Sequence, residues 1–459
     1  MTHIAVIDIG KTNAKLALVN PATMAEVAVV TRPNRVLPGP PWPHFDLEGH
    51  WAFLLEGLAQ FHREHGVSAI SVTTHGAAAV LLDASGGLAA PMLDYEHTGP
   101  DTMAAAYDAL RPDFAETGSA RLGMGLNLGA QLHWQFATDL GLRARTRQIV
   151  TYPQYWGFRL TGVAACDVSS LGCHTDLWNP RTGQFSGLVD RLGLTALMAP
   201  PMRPVERLGG LLPEITALTG IPEGTPVCVG IHDSNASLFP YLRSRNGAFS
   251  VVSTGTWVVS MAVGASPVAL DPTRDVLVNV NALGQPVPSA RFMGGREFET
   301  IMGGQHAAPT AIDRALVLAR NVMLLPAVET ESGPFAGRQA AWTAEPETPG
   351  QKLVALSWYL ALMTDTCLSL VGAEGPVIIE GPFARNSDFL DMLASLRPGG
   401  VETAASATGT SIGAALLMQA ASPKPATVLH ATPPAKVDLA RYAFLWRSAI
   451  ATLSFGKLS

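Results

Sequence analysis

The chain has 459 residues, and this length predicts two or three domains. Its residues are 47% hydrophobic and only 15% charged, which is enough apolar material to build large buried cores. A net charge of −6 without any basic block argues against nucleic acid as the main partner.

The sequence also argues against a membrane protein. Asp8 and Lys11 interrupt the first apolar run, which is therefore unlike a signal peptide. The longest apolar stretch, Leu353 to Val371, contains Asp365 and is better explained as a core helix than as a membrane span. Four scattered cysteines without paired metal spacing are typical of buried free thiols in a reducing compartment. We therefore expect a soluble cytoplasmic protein.

The first third of the chain alternates strands and helices. Apolar runs predict strands over Ile4–Ile9, Lys15–Val19 and Ala69–Thr73. Helical periodicity predicts helices over His50–His65, Leu128–Leu140 and Tyr155–Leu160. This alternation predicts an α/β sheet with helical cover.

The turn between the first two strands contains Gly10-Lys11-Thr12, which looks like the end of a nucleotide-binding P-loop. A P-loop needs another glycine, and counting back five positions from Gly10 gives Ala5. The residues after the turn alternate as in a strand. The segment therefore predicts a hairpin, with the acid Asp8 near its tip.

A second strand-turn-strand segment runs from Ala248 to Val263, with Gly255 in its turn. Gly10 and Gly255 are 245 positions apart, and each has a threonine nearby. We interpret the two hairpins as a weak internal duplication of two α/β domains, residues 1–240 and 241–459, each opening with a phosphate-binding hairpin. The alternative is that any two glycine hairpins resemble one another.

The rest of the second half also alternates. In order, it predicts a long apolar helix over 352–371, a short strand over 376–381, a helix over 386–396 with Asn386 or Ser387 as N-cap, a strand over 401–404 and a glycine-opened helix over 409–420. These elements are consistent with a second α/β domain.

His232, Asp233 and Ser234 are adjacent and follow a buried strand predicted over Pro226–Ile231. Neighbours on a strand point to opposite faces, so we expect no Ser-His-Asp triad here. A carboxylate at the C-terminal end of a strand lies where α/β sheets bind ligands, and a carboxylate there can accept a hydroxyl proton as a general base. A helix N-cap is the alternative interpretation of Asp233.

Together these parts suggest phosphoryl transfer, which needs positioned phosphates, a metal ion and a base near the attacking hydroxyl. Asp8 is suited to hold Mg²⁺ through water, and Gly10 lets the backbone approach a phosphate. Further hydrogen-bond donors for phosphate are Lys11, Thr12, Asn13, Thr254 and Thr256. No arrangement of His or Cys suggests zinc.

The chain resembles the FGGY carbohydrate kinases of the actin-like ATPase superfamily over most of its length. Five places carry the resemblance: "DIGKTN", "THGAAAVLLDASG", "YWGFRLTG", "GIHDSNAS" followed by "STGTW", and "EGPFARNSDFLDML" with "GTSIGAALL". The His-Asp pair with Ser-Thr-Gly-Thr-Trp is most similar to the L-rhamnulose and L-fuculose kinase branch.

The resemblance implies two actin-like (ribonuclease H-like) domains with a cleft for ATP and sugar between them. It implies phosphate contacts from the residues 10–13 and from the loop of Thr254, Gly255 and Thr256, with Asp8 near Mg²⁺ and adenosine contacts from Gly381 and Asn386. We also expect Gly255 to adopt a positive φ, which a β-branched residue cannot do.

On the sugar side, the resemblance implies contacts from His75, Gly76, His232 and Ser234. Asp233 is then the base for a sugar hydroxyl, which in the nearest branch is the C1 hydroxyl of a ketose such as L-rhamnulose or L-fuculose. The chain departs from the family at Pro382 and Phe383, where further glycines are common, and at His75, where many relatives have Trp. The identity of the sugar therefore does not transfer.

Other functions stay open at this stage. The chain is also compatible with a non-catalytic, actin-like ATP-binding regulatory protein, with a kinase of another ketose or of a sugar alcohol, and with a hydrolase that uses Ser234 or a cysteine. The expected partner is a small sugar, and a homodimer is left open.

Overall fold

The computed structural model describes residues 2–404, 409–419, 427–431, 433 and 436–455. The strands are β1 Ile4–Ile9, β2 Asn13–Asn20, β3 Ala25–Pro33, β4 Val36–Leu37, β5 His44–Phe45, β6 Ala69–Thr74, β7 Ala79–Leu82, β8 Gln148–Thr151, β9 Cys166–Asp167, β10 Trp178–Asn179, β11 Gln184–Phe185, β12 Pro201–Met202, β13 Arg207–Gly210, β14 Pro226–Cys228, β15 Ile231–His232, β16 Phe249–Thr254, β17 Val258–Val263, β18 Val276–Val280, β19 Pro286–Phe292, β20 Leu324–Leu325, β21 Ala341–Trp342, β22 Val377–Glu380, β23 Val401–Ala404 and β24 Thr427–Leu429. The α-helices are α1 Leu47–His65, α2 Ala104–Asp108, α3 Phe114–Thr117, α4 Leu128–Thr138, α5 Leu142–Arg145, α6 Tyr152–Thr161, α7 Val168–Leu171, α8 Gly187–Arg191, α9 Pro213–Thr219, α10 Asp233–Ser244, α11 Gly294–Met302, α12 Ala311–Arg320, α13 Pro349–Leu370, α14 Ser387–Leu396, α15 Thr410–Leu416 and α16 Lys436–Phe455.

The chain divides into two compact units. The first comprises Met1–Arg245, Val278–Pro286 and Thr408–Pro425, and the second comprises Asn246–Leu277, Val287–Ala407 and Ala426–Ser459. Two segments that follow the boundary predicted near residue 240 therefore belong with the first unit. The reason in the later segment is close packing of α15 on α10: a Cβ at Gly413 would lie 1.7 Å from the carbonyl oxygen of Ala236.

The main sheet of the first unit has the strand order β13-β14-β6-β1-β2-β3, and β15 also pairs with β6. The first two strands form an antiparallel hairpin, and β6 runs parallel to β1. Ala5 and Ile7 of β1 belong to one apolar core, and Ile4 and Val6 belong to another. The strand is thus buried on both faces, which explains its continuous apolar sequence.

The sheet of the second unit has the order β18-β19-β17-β16-β22-β23-β24. Its hairpin of β16 and β17 is antiparallel, whereas β22 and β23 are parallel neighbours. The order β3-β2-β1-β6-β14 in the first unit and the order β19-β17-β16-β22-β23 in the second have the same strand directions. The hairpins with Gly10 and Gly255 occupy equivalent places, as the interpretation of an internal duplication requires.

One predicted strand is wrong. The segment Pro226–Ile231 is broken, because Gly230 has a φ of 94° and interrupts the extended backbone. Both pieces, β14 and β15, still pair with β6. The other predicted strands and helices form within a few residues of their expected ends, except that Ala420, at the end of the last predicted helix, lies outside the described residues.

The predicted apolar core helix is α13. Among the described residues it is the one helix long and apolar enough to cross a membrane, but 78% of its apolar window is buried inside the structure. We conclude that α13 is a core helix of the second unit.

Candidate active site

Asp8 lies near the end of β1 and is almost completely buried, with 9% of its surface exposed. Its Oδ2 accepts hydrogen bonds from the hydroxyls of Thr410, at 2.5 Å, and Ser411, at 3.0 Å. The ammonium of Lys15 lies 3.3 Å from the same oxygen. Among the described residues, these three polar contacts of Asp8 are all made to Oδ2 rather than to Oδ1.

The turn after Asp8 is bound by Asn34, the residue that directly follows β3. The Asn34 side chain donates to the carbonyl of Gly10 at 2.8 Å, and its backbone N–H donates to the carbonyl of Thr12 at 3.0 Å. His50 in turn contacts the Asn34 amide oxygen at 2.8 Å. Thr12 and Asn13 are exposed at the tip. The sequence predicted this turn but gave no sign of Asn34 or His50.

Lys11 does not point its ammonium to the exposed tip. The ammonium forms ion pairs with Asp94 and, at 3.1 Å, with Glu96. It also lies 4.6 Å from the ring centre of Tyr95 and 5.0 Å from that of Phe45. The predicted contact of Lys11 with ATP phosphate therefore has no support from its side-chain position, because two carboxylates already neutralise its charge.

His75 lies just after β6 and is enclosed by aromatic rings. Its ring centre is 5.2 Å from that of Phe45, 5.3 Å from that of Tyr95 and 5.0 Å from that of Tyr152. Burial lowers the pKa of His75, so that the ring is neutral. Nδ1 donates to the Gly76 carbonyl at 2.9 Å, and Nε2 has no hydrogen-bond partner among the described residues. A sugar contact from this buried ring stays a prediction.

The segment 232–234 differs from the sequence-based expectation. Asp233 begins α10 and His232 is its N-cap, so the two residues are not strand neighbours on opposite faces. Nε2 of His232 lies 3.1 Å from Oδ1 of Asp233, and the backbone N–H of Ser234 donates to the same oxygen at 2.6 Å. The Ser234 hydroxyl also donates to Oδ1, at 3.3 Å, so serine contacts the acid rather than the histidine. A Ser-His-Asp triad is therefore excluded by connectivity, not by strand geometry.

Gly76 is required beside His232. A Cβ at Gly76 would lie 2.8 Å from His232 Nε2 and 3.4 Å from the sulfur of Cys173. The Cys173 sulfur is itself 3.7 Å from His232 Nε2. The structure thus brings the predicted residues Gly76, His232 and Asp233 together, and adds Cys173, which the sequence analysis had set aside as a buried thiol.

The second unit has a cavity of about 420 Å³ beside the turn of its hairpin. The residues that line it are Gly255, Thr256, Gly295, Phe298, Glu299, Pro382, Phe383, Arg385 and Asn386. Gly295, at the start of α11, packs so tightly on the turn that a Cβ would lie 2.1 Å from the Gly255 carbonyl oxygen. Three of the predicted nucleotide-site residues thus line one cavity, namely Gly255, Thr256 and Asn386.

Two expectations about the second hairpin change. The φ of Gly255 lies outside the positive range, so the expected left-handed turn is wrong. A Cβ there would meet only the Trp257 carbonyl oxygen, at 3.8 Å, which leaves open space beside the turn. Gly381, in contrast, has a φ of 84°. The hydroxyl of Thr254 donates to the Glu380 carbonyl at 2.5 Å, so its proton is not free for a phosphate.

Asn386 is the N-cap of α14. Its Oδ1 accepts from the Phe389 backbone at 3.1 Å, and its amide nitrogen donates to Ser357 at 2.9 Å. The predicted cap is confirmed, and the side chain contributes to the cavity mainly as a fixed wall. The sequence analysis missed Gly295, Phe298 and Arg385, although the Gly-Gly pair before an amphipathic helix at 294–302 was a usable signal.

No group of three or more His, Cys, Asp or Glu side chains in the described part of the chain is arranged to hold a metal ion. One carboxylate oxygen, Oδ1 of Asp8, fits the weaker requirement of Mg²⁺, which keeps several waters and takes few protein ligands.

Two family models match consecutive parts of the chain. The model described as "FGGY family of carbohydrate kinases, N-terminal domain" matches residues 3–240. The model described as "Carbohydrate kinase FGGY, C-terminal domain" matches residues 246–426.

Solved structures give the same result. A carbohydrate kinase from Novosphingobium aromaticivorans is 36% identical with a TM-score of 0.92, and the match covers 98% of this chain and 99% of that one. A xylulose kinase from Rhodospirillum rubrum is 21% identical with a TM-score of 0.77, covers 98% and 99%, and shows the fold alone. The predicted two-domain α/β fold class is confirmed.

The curated relatives match over a shorter range. An L-fuculokinase from Escherichia coli is 27% identical over 278 residues, which are 57% of this chain and 57% of the relative. The match therefore spans little more than half the length of that relative.

Proposed function

Because the chain belongs to the FGGY family of carbohydrate kinases, we propose that it transfers the γ-phosphate of ATP to a hydroxyl of a neutral sugar, with Asp233 as the general base. The observation that carries the proposal is the different use of the two oxygens of the Asp233 carboxylate. His232 and Ser234 both contact Oδ1. Oδ2 is then the oxygen available to accept a proton.

The base acts on the acceptor hydroxyl. As the hydroxyl oxygen attacks the γ-phosphorus, its proton passes to Oδ2 of Asp233, a new O–P bond forms, and the bond from the γ-phosphorus to the β,γ-bridging oxygen breaks, releasing ADP. Asp233 is suited to this role because its side chain is 31% exposed and can meet a substrate, whereas the adjacent His232 is buried.

Asp8 is the proposed Mg²⁺ residue, acting through water from Oδ1. When bound, the ion would neutralise negative charge on the phosphates. Thr410 and Ser411 hold the carboxylate in a fixed orientation, and Lys15 moderates its charge. The exposed backbone of the turn at Thr12 and Asn13 is the proposed first phosphate contact.

The cavity of the second unit is the proposed nucleotide site. Phe298 and Phe383 offer apolar surface to a base, and Arg385 offers positive charge. The space beside Gly255, which an added Cβ would enter without clash, suits a phosphate near the backbone. We propose that the first unit holds the sugar and the second holds the adenosine.

A neutral acceptor fits the charges of the first unit. Lys11 is paired with Asp94 and Glu96, and the site adds the carboxylate of Asp233. A sugar acid would bring another negative charge to this group, whereas a polyol can donate hydrogen bonds to each carboxylate. The resemblance to the L-rhamnulose and L-fuculose kinase branch, with the 27% identical L-fuculokinase, favours the C1 hydroxyl of a ketose.

An ATP-coupled screen tests this proposal. The purified chain is assayed with ketoses, sugar alcohols and aldonates, and the phosphate position of each product is read by NMR. We expect turnover with a ketose or sugar alcohol, phosphorylated at a primary hydroxyl, and little turnover with aldonates. A best substrate among the aldonates would contradict the neutral acceptor, and binding of ATP without turnover of any acceptor would favour a regulatory protein.

A further inference from the structure

Cys173 lies two residues after α7 and is buried, with 5% of its surface exposed. Its sulfur is 3.7 Å from His232 Nε2, the same nitrogen that lies 3.1 Å from the Asp233 carboxylate. Gly76 makes this approach possible, since any side chain there would collide with His232. A nucleophilic side chain that the proposed reaction does not use is therefore two contacts away from the proposed base.

We propose that Cys173 is a positioning residue for phosphoryl transfer: as a thiolate it keeps His232 protonated, and protonated His232 fixes the carboxylate of Asp233. The proposal rests on the proposed function in one respect, because it takes Asp233 to be the base. It concerns this chain's own Cys-His pair.

The electrostatics of the pair support an ionised form. Burial acts to raise the pKa of the Cys173 thiol, but the nearby His174 and His232 outweigh it and lower that pKa to about 5. Burial acts to lower the pKa of His232, but Cys173 and Asp233 outweigh it and raise that pKa to about 10. Both shifts favour the thiolate and the imidazolium over the neutral pair at neutral pH.

Other titratable groups face the pair from each neighbouring element. Asp167, which caps α7, also acts to raise the pKa of His232, although burial raises the pKa of Asp167 itself. His75, after β6, is neutral because burial lowers its pKa. Among the described residues, the other three cysteines have pKa values raised by burial. Cys173 is thus set apart by its histidine neighbours.

The ionised pair matters because of the proton on Nε2. A neutral imidazole carries one N–H, and the proton can occupy either ring nitrogen. With the proton on Nδ1, Nε2 would present a lone pair to the Asp233 carboxylate, which would turn away. An imidazolium has an N–H on both nitrogens, so Nε2 always donates, and Nδ1, which faces the Asn235 side-chain amide at 3.4 Å, donates to the amide oxygen when that oxygen is turned to it. By stabilising the imidazolium in a buried site, the thiolate secures the orientation of the base.

The first test compares Cys173→Ala and Cys173→Ser with Cys228→Ala. Cys228 is a matched control because it is buried in the same unit and contacts Ser71 at 3.1 Å instead of a histidine. We expect both Cys173 variants to lose about tenfold in kcat, with little change in KM for ATP. As the pH is raised, the activity of both variants should also begin to fall at a lower pH than that of the wild type. The reason is that they lack Cys173, the interaction that raises the pKa of His232 most. Cys228→Ala should keep the wild-type pH profile.

The variant Cys173→Ser distinguishes an effect of the thiolate charge from an effect of side-chain size. Serine nearly preserves the volume of cysteine but does not ionise, so a packing role predicts wild-type kinetics for Cys173→Ser. Wild-type activity and pH profile in this variant would overturn the proposal, even if Cys173→Ala fails to fold.

The second test does not depend on turnover. The ultraviolet absorbance of thiolate is titrated in the wild type, in Cys173→Ser and in Asp233→Asn. We expect a thiolate step near pH 5 in the wild type that Cys173→Ser removes, and its absence in the wild type would overturn the ion pair. If Asp233→Asn retains full kinase activity, the proposed base is wrong, while the titration still decides whether the pair is ionised.

Discussion

The hydroxyl of Ser411 donates a 3.0 Å hydrogen bond to the carboxylate of Asp8, although 403 positions separate the two residues in the chain. Ser411 is completely buried, and α15 packs beside β1. The C-terminal segment of the first unit therefore completes the surroundings of an acid that lies near its N-terminus.

Replacing Ser411 should weaken the use of Mg²⁺. Ser411→Ala removes one hydrogen bond to a buried carboxylate, an interaction of about 1.5–3 kcal/mol, and leaves Asp8 oriented by Thr410 and Lys15 alone. We expect the Mg²⁺ concentration for half-maximal activity to rise several-fold. Ser395→Ala is the matched control, because Ser395 is a buried helix serine that donates to the Met392 carbonyl. An equal Mg²⁺ requirement in the two variants would show that Asp8 does not act on the metal.

Lys11 should act on the sugar rather than on ATP. Its ammonium is held by Asp94 and Glu96 and lies over the ring of Tyr95, near His75. Lys11→Met keeps the length of the side chain but leaves the two carboxylates unpaired. We expect KM for the sugar to rise at least about fivefold, with KM for ATP within about twofold. A larger change in KM for ATP would instead support the phosphate contact that the sequence predicted for Lys11.

Gly255, in the turn between β16 and β17, and Gly381, directly after β22, should respond differently to substitution. Gly381→Ala puts a Cβ 2.0 Å from the Thr254 carbonyl oxygen at a φ of 84°, so it should lower the melting temperature. Gly255→Val has neither problem and should fold normally. It should nevertheless weaken ATP binding, because the side chain fills the space proposed for a phosphate. Calorimetry of unfolding and of ATP binding measures both, and unchanged ATP affinity in Gly255→Val would remove this turn from the site.

His75 should influence the choice of sugar indirectly, through its contact with Tyr95. Its ring packs against Tyr95, whose pKa is raised by burial and by the nearby carboxylates of Glu96, Asp94 and Asp233. His75→Ala leaves a cavity under Tyr95 and should raise KM for the sugar and re-rank the substrate panel. His133→Ala is a control in the same unit, since His133 contacts Tyr107 instead. The same ranking of substrates in both variants would show that His75 is only a core residue.

The sequence was sufficient for the parts of the fold that depend on local pattern. The hairpins at Gly10 and Gly255 and the helix after Asn386 follow from alternation, turn residues and an N-cap. The break at Gly230 was missed, because a glycine inside an apolar run reads as strand until its φ is known.

Contacts between distant segments were beyond local reasoning. No spacing in the sequence joins Asn34 to the turn at Gly10, or Cys173 to His232, since each contact depends on how separate elements pack. The ion pairs of the Lys11 side chain were not predicted for the same reason. A lysine in a glycine turn suggests phosphate, but its carboxylate partners come from a loop more than 80 positions away.

The most direct test of the central claim is a single-turnover measurement of phosphoryl transfer from ATP to the best sugar, in the wild type and in Asp233→Asn. Asparagine preserves the size of the side chain and its contacts to Ser234 but cannot accept the proton. The account predicts a loss of at least about 10²-fold in the rate of the chemical step, with ATP affinity unchanged. A rate within a few-fold of the wild type, at saturating sugar, would show that Asp233 is not the base.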